Sequence, residues 1–205
     1  MENASMDASA TTQEQADAIL LDLRPPQGCW SEKDYLWLTD SCNRFIEFTD
    51  GCIEKLPMPT DTHQGALTYL NDLFRAYILP HGGIVRFSVL RLHIRAGKFR
   101  EPDLLLLQDA KDERRSDRYW TGADLVVEVV SPDDPDRDYI TKRADYAEAG
   151  IPEYWIVDPQ AAAITVLTLT GDAYIEHGEF HPGDIATSAL LPDFTADVTK
   201  VLEGS

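Results

Sequence analysis

Asp124-Leu125-Val126-Val127-Glu128-Val129-Val130-Ser131-Pro132 decides the fold. Its continuous apolar run has the length and β-branched composition of a strand covered on both faces, and Pro132 ends it. Glu128 sits inside that run. Leu104 to Leu107 repeats the pattern, and Asp103 stands at its head in Glu101-Pro102-Asp103. An ionised carboxylate left unpaired in such a place costs about several kcal/mol. One divalent cation would compensate both acids, since Mg²⁺ favours one or two carboxylates completed by water and phosphate oxygens. Alternatively, each acid ends near a strand edge and pairs with a local arginine such as Arg100, Arg114 or Arg115.

Beyond Pro132, Asp138 to Ala149 reads as a helix closed by Gly150 and Pro152. Tyr139, Lys142, Tyr146 and Ala149 fall on one face, the face apolar enough to pack on a sheet. Lys142 would therefore point inward, unless it snorkels or pairs with Asp138 four residues earlier. Tyr154 to Val157, Ala163 to Leu169 and Ala173 to Ile175 supply further strands, the last two joined across Thr170-Gly171-Asp172.

Upstream, Ile84 to Ile94 alternates apolar with polar side chains, as a strand with one covered face does. Leu67, Leu70, Phe74 and Tyr77-Ile78 recur at helical spacing behind a cap at Asp61 or Thr62. Arg44 to Phe48 and Cys52 to Leu56 flank an Asp50-Gly51 turn and predict a hairpin. Ser31 predicts a short capped helix through Leu38. Residues 1–24 read as a flexible leader and 25–205 as a single domain of mixed α/β class, a central mixed sheet flanked by helices with an N-terminal hairpin extension.

The formal net charge is −18 over 205 residues, awkward for a partner of nucleic acid. Its distribution softens that objection, because residues 62–150 hold 13 of the 18 basic side chains and are close to neutral. Arg86, Arg91, Arg95, Lys98 and Arg100 are spaced through the strand-like stretch and are the candidate nucleic-acid contacts; a salt-bridged surface is the alternative. The three cysteines lack metal or redox spacing and read as free buried thiols. Without a membrane-length apolar run or a signal-peptide pattern, a cytoplasmic protein with no membrane partner is expected.

Pro102-Asp103, the stretch 124–132, and Lys142-Arg143-Ala144-Asp145-Tyr146 through Trp155-Ile156-Val157-Asp158-Pro159 resemble the Uma-type restriction endonuclease family of the PD-(D/E)XK nuclease superfamily. The likeness extends through Gly51, Met58-Pro59 and His63 upstream and Gly171, Tyr174 and Leu191-Pro192 downstream. It implies a restriction-endonuclease-like sheet and a Mg²⁺-dependent endonuclease hydrolysing DNA phosphodiesters, with Mn²⁺ as substitute. Asp103 and Glu128 would bind the metal with the backbone carbonyl of Val129, Lys142 would complete the catalytic set, and His63 would be accessory. The chain departs from the superfamily pattern at Val130, which stands where a lysine is expected; Lys142 from the next helix occupies the matching role. The resemblance, with apolar groups around Leu36-Trp37-Leu38, also implies a homodimer. The rival reading is a nuclease fold retained as a binding or regulatory module, and a third is a hydrolase of smaller phosphate esters.

Overall fold

The structure, a computed structural model, describes residues 25–42, 44–87 and 90–204. The expected leader over 1–24 lies outside them. Ser31 opens helix α1 (Glu32–Asp40) with a reciprocal capping box, its hydroxyl accepting the Asp34 N–H while Asp34 accepts the Ser31 N–H. Strands β1 (Ile46–Thr49) and β2 (Cys52–Lys55) then form the expected hairpin. Asp50 and Gly51 both have positive φ, 47° and 85°, as a primed two-residue turn requires. A side chain at position 51 would also strike the carbonyl of Gly28, 2.6 Å from where its Cβ would sit.

Helix α2 (Asp61–Ile78) is capped by Thr60, not by Asp61 or Thr62, because Thr60 is the last extended residue and its hydroxyl accepts the His63 N–H. Next come β3 (Ile84–Phe87), β4 (Leu92–Arg95), β5 (Lys98–Arg100), β6 (Leu104–Leu107) and β7 (Leu125–Val129). Ser88 and Val89, expected in the first of these strands, lie outside the described residues. A π-helical turn, Arg137–Lys142, leads into α3 (Arg143–Glu148), so the expected single helix begins with wider winding. The chain finishes with β8 (Glu153–Asp158), β9 (Ala163–Thr170), β10 (Ala173–Phe180), β11 (Ile185–Thr187), β12 (Thr195–Asp197) and α4 (Val198–Glu203).

Six strands form the central mixed sheet in the order β10-β9-β8-β7-β6-β3, in which β7 and β8 are parallel and the other neighbours antiparallel. Alternation assigns its two faces. Leu104, Leu106, Leu125, Val127 and Trp155 pack with Leu70, Phe74 and Ile78 of α2 and Val201 of α4. Leu105, Val126, Ile156 and Leu167 point the other way, toward Tyr146 of α3 and Trp120. Both faces of β6 and β7 are buried, as their unbroken apolar runs demand. The hairpin pairs with β5 to make a second sheet, β2-β1-β5-β4, so it is not a free extension. Its small core takes in Leu36 and Leu38; of the apolar trio expected at a dimer contact, Trp37 alone is exposed. Cys29 and Cys52 are exposed and Cys42 half-buried, a correction to the expectation of buried thiols: Cys52 lies on the outer strand of the hairpin, and Cys29 and Cys42 lie in the segments on either side of α1. Among the described residues no helix is long and apolar enough to cross a membrane.

Charge holds the second sheet to α3. Lys98 Nζ lies 2.6 Å from Asp145 and 2.9 Å from Glu148, and Arg100 meets the other oxygen of Asp145 at 2.7 Å. Lys98, Arg100 and Asp145 are all buried. Breaking a buried pair from one side leaves a desolvated charge behind. Asp145→Ala, which takes the nearest carboxylate from two buried cations, is expected to cost about 3–5 kcal/mol in urea unfolding, whereas Arg95→Ala, at the solvent-facing end of the same chain of charges, should change stability far less.

Candidate active site

The carboxyl end of β7 is where the chain gathers its unusual charges. β6 and β7 pair with Leu104 opposite Val127; continuing that register one step sets Asp103 opposite Glu128, on the face that carries Leu105 and Val126. Directly opposed residues have Cβ atoms about 5 Å apart. Asp103 turns its carboxylate across the strand end, and Oδ2 accepts the Val129 N–H at 2.8 Å. His63, in the first turn of α2, approaches the same oxygen with Nε2 at 3.1 Å.

Glu128 is buried and held by the helical segment on its face. Its Oε2 lies 2.8 Å from Lys142 Nζ, and its Oε1 accepts the phenol O–H of Tyr146. Lys142 also lies 3.1 Å from Asp138, one turn earlier, outside hydrogen-bond geometry. Asp138, Lys142 and Tyr146, four residues apart, all face the sheet where the winding passes from π to α; π-helical turns often mark such sites. Glu128, Asp138 and Lys142 line a cavity of about 360 Å³ with His63, Asp103, Glu101 and Arg137. Phe45, Leu56, Pro57 and Pro59 form an apolar wall.

The electrostatics are those of a site short of positive charge. Burial pushes the Glu128 carboxyl well above the usual range, Lys142 opposes this, and the charges of Asp103 and Asp138 add to it. Asp138 is raised mainly by burial, against Lys142. Burial works against the Lys142 ammonium, but Glu128, Asp138, Glu47 and Asp103 outweigh it and hold the proton. Burial likewise pulls His63 down, and the Asp103 carboxylate more than reverses it. Glu101, buried beside Glu47, is raised to about 7.

Glu153 shows what a purely structural strand carboxylate looks like here. It is fully buried in β8, and its oxygens accept from Trp155 Nε1, the Ser188 hydroxyl and the N–H groups of Ala189 and Leu190, all at 2.6–2.8 Å. Asp103 differs, since among the described residues its Oδ1 has no hydrogen-bond partner. His63 Nδ1 and Asp138 Oδ1 are buried without hydrogen-bond partners. Among the described residues no three His, Cys, Asp or Glu side chains come together as a closed metal cage. Two carboxylates, hard oxygen donors beside open space, suit an ion that keeps part of its water, as Mg²⁺ does.

Sequence reasoning brought forward Asp103, Glu128, Val129, Lys142 and His63, and all five line this cavity. It missed Asp138 as a site residue, having weighed it as a helix partner of Lys142, and Tyr146, seen as part of a packing face. Both lie four residues from Lys142, and that spacing was their signal. The five expected nucleic-acid contacts are not gathered here. Arg91 pairs with Asp40, Arg95 with Asp50 and Glu148, and Lys98 and Arg100 are buried in the seam to α3. Of the five, Arg86 alone makes no ion pair among the described residues.

The model of the Uma2 family, described as "Putative restriction endonuclease", matches residues 33–199. This chain belongs to the Uma2 family. Among solved structures, the chain is similar to one described as "a putative nuclease belonging to DUF820" from Anabaena variabilis ATCC 29413, at 14% identity and a TM-score of 0.66, covering 82% of this chain and 97% of that one. At that identity the likeness speaks for the fold, a mixed sheet flanked by helices. No curated protein matches. Uma2 membership supports a nuclease of restriction-endonuclease type.

In this Uma2 chain, Tyr146 is the donor that completes Glu128. Tyr146→Phe should leave a buried carboxylate one hydrogen bond short and lower stability by about 1–3 kcal/mol in denaturant titration, with the fold retained by circular dichroism.

Proposed function

We propose that this Uma2 protein is a Mg²⁺-dependent endodeoxyribonuclease whose metal is held by Asp103 and Glu128 with the Val129 carbonyl. The observation that carries the reading is the contrast within one sheet: Glu153 is fully satisfied by protein donors, whereas Asp103 keeps an oxygen free beside a cavity and faces a second buried acid. When bound, a divalent cation acidifies water and draws negative charge from a phosphoryl oxygen. Lys142, held protonated by its acidic neighbours, orients the attacking water and offsets charge growing on phosphorus. Water oxygen bonds to phosphorus as the phosphodiester P–O bond breaks, leaving a phosphomonoester and an alcohol. His63 fixes the Asp103 carboxylate, and Tyr146 fixes the rotamer of Glu128. Lysine supplied from the helix replaces the one absent at Val130, whose side chain is buried in the core.

The second reading, a nuclease fold used as a binding module, draws support from the −18 charge and from the pairing of Arg91, Arg95, Lys98 and Arg100 with carboxylates. Metal binding separates the two. Asp103→Asn, Glu128→Gln and Lys142→Met should each lower Mg²⁺-dependent plasmid nicking by about a hundredfold or more while the protein stays folded. In calorimetry Mg²⁺ or Mn²⁺ should bind the wild type saturably and Asp103→Asn or Glu128→Gln weakly. Because a ligand that binds the native state raises its stability, Mg²⁺ should also raise the wild-type melting temperature and leave those two variants unmoved. Full nicking by any of the three variants removes that residue from the mechanism, and absence of saturable metal binding favours the module.

A further inference from the structure

A second pocket, of about 460 Å³, lies beside β3, the edge strand next to β6. Arg86, Lys111 and Arg115 line it, and none of them makes an ion pair among the described residues. That is unusual in a chain whose neighbouring strand cations are all matched with acids. Asp112 also lines the pocket, but both of its oxygens are taken by Arg114, leaving Asp117 as the uncompensated acid.

The loop that presents these groups is fixed. Arg114 reaches Asp112 and Asp124 at 2.6 Å each, and the Thr121 N–H donates to the Arg114 carbonyl. Trp120 is tied to β4 by hydrogen bonds with Arg91 and His93. Arg115 lies over the Trp120 ring at 5.7 Å, and its Nε is buried without a hydrogen-bond partner. Arg86, one residue from the end of β3, has its acidity increased by partial burial and by the like charges of Arg115 and Arg75. Guanidinium groups held together without counter-charge, with donors unfilled, form a receptor for an anion, and their planar forks match phosphate oxygens.

Position relates the pocket to the rest of the sheet. Arg86 pairs with Leu105, two residues along β6 from Asp103, so the pocket and the acids of the candidate active site share the central sheet. Phe87, half exposed, and Leu90 add apolar surface of the kind on which bases rest. We propose that the Arg86–Lys111–Arg115 pocket seats a backbone phosphate of the nucleic-acid strand on which Asp103 and Glu128 act. The identity of that ligand rests on the nuclease reading; the anion site itself does not.

The test is fluorescence anisotropy with a labelled 20-nucleotide DNA, single-stranded and as duplex, in EDTA, so that binding is read without cleavage. Arg86→Gln with Arg115→Gln should weaken binding by about tenfold per arginine and reduce the slope of log K against log salt by about one per charge removed. Lys111→Glu, an exposed reversal that leaves the loop clamp intact, should weaken binding in the same direction. Lys33→Ala, on α1 away from the pocket, controls for net charge and should have little effect. The proposal is overturned if the wild type binds neither DNA, or if the double glutamine variant and Lys111→Glu, both folded by circular dichroism, bind with the wild-type affinity and salt slope. Mg²⁺-dependent nicking by wild-type protein in that event would leave the nuclease reading standing and retire the pocket alone.

Discussion

The burial of Glu128 in the middle of the sheet is the constraint to which the rest of the molecule answers. A carboxylate cannot be left there alone, and the chain supplies Lys142 and Tyr146 from the crossover between two parallel strands. That crossover carries Asp138, Lys142 and Tyr146 at four-residue spacing, so that all three face inward across the change from π to α winding. It must also be fixed against the sheet, and the Lys98, Arg100 and Asp145 seam does so from one side while Arg137 reaches Glu47 and Glu54 of the hairpin from another. The hairpin thus serves the cavity as a wall that anchors the segment carrying the ammonium.

How legible this was in the sequence depends on whether a signal was local. The buried strands were written in continuous apolar runs, the hairpin in Asp50-Gly51, and helix α1 in Ser31 and Asp34, because each depends on contacts within a few residues. Asp103 and Glu128 stood out because a charge in an apolar run has few structural explanations. The π winding was not legible, since it answers to tertiary demands of the sheet and leaves no periodicity of its own across six residues. Nor was the fate of Arg91, Arg95, Lys98 and Arg100, whose acidic partners lie between 45 and 55 residues away in sequence or on separate elements.

Glu153 shows the limit of reading charge in strands. By sequence it looks like Asp103, an acid at the head of an apolar run, and it is as buried as Glu128. The difference lies in residues 188–190, which fold over the end of β8 and aim a hydroxyl and two amides at it. An acid closed off by neutral donors can fix a loop but has little left to offer an ion. Glu128 and Asp103 sit at the opposite end of the parallel pair, beside a cavity, where an ammonium and a phenol hold Glu128 and Asp103 keeps one oxygen without a donor among the described residues.

The same distinction bears on how so acidic a chain could approach a polyanion. Net charge governs long-range steering, but contact depends on which cations are not already matched. Most of the basic side chains in the middle of this sequence are matched internally, and they are employed in holding α1, the second sheet and α3 together. Removing those from the count leaves Arg86, Lys111 and Arg115 around the second pocket, with Arg75 and Arg143 elsewhere in that stretch, while the buried ammonium of Lys142 stays paired within the acids. A polyanion would therefore meet this protein through a few fixed charges, with the remaining surface repelling it. Such an arrangement gives weak attachment with a shallow salt dependence and confines productive contact to the orientation in which a phosphate reaches the pocket.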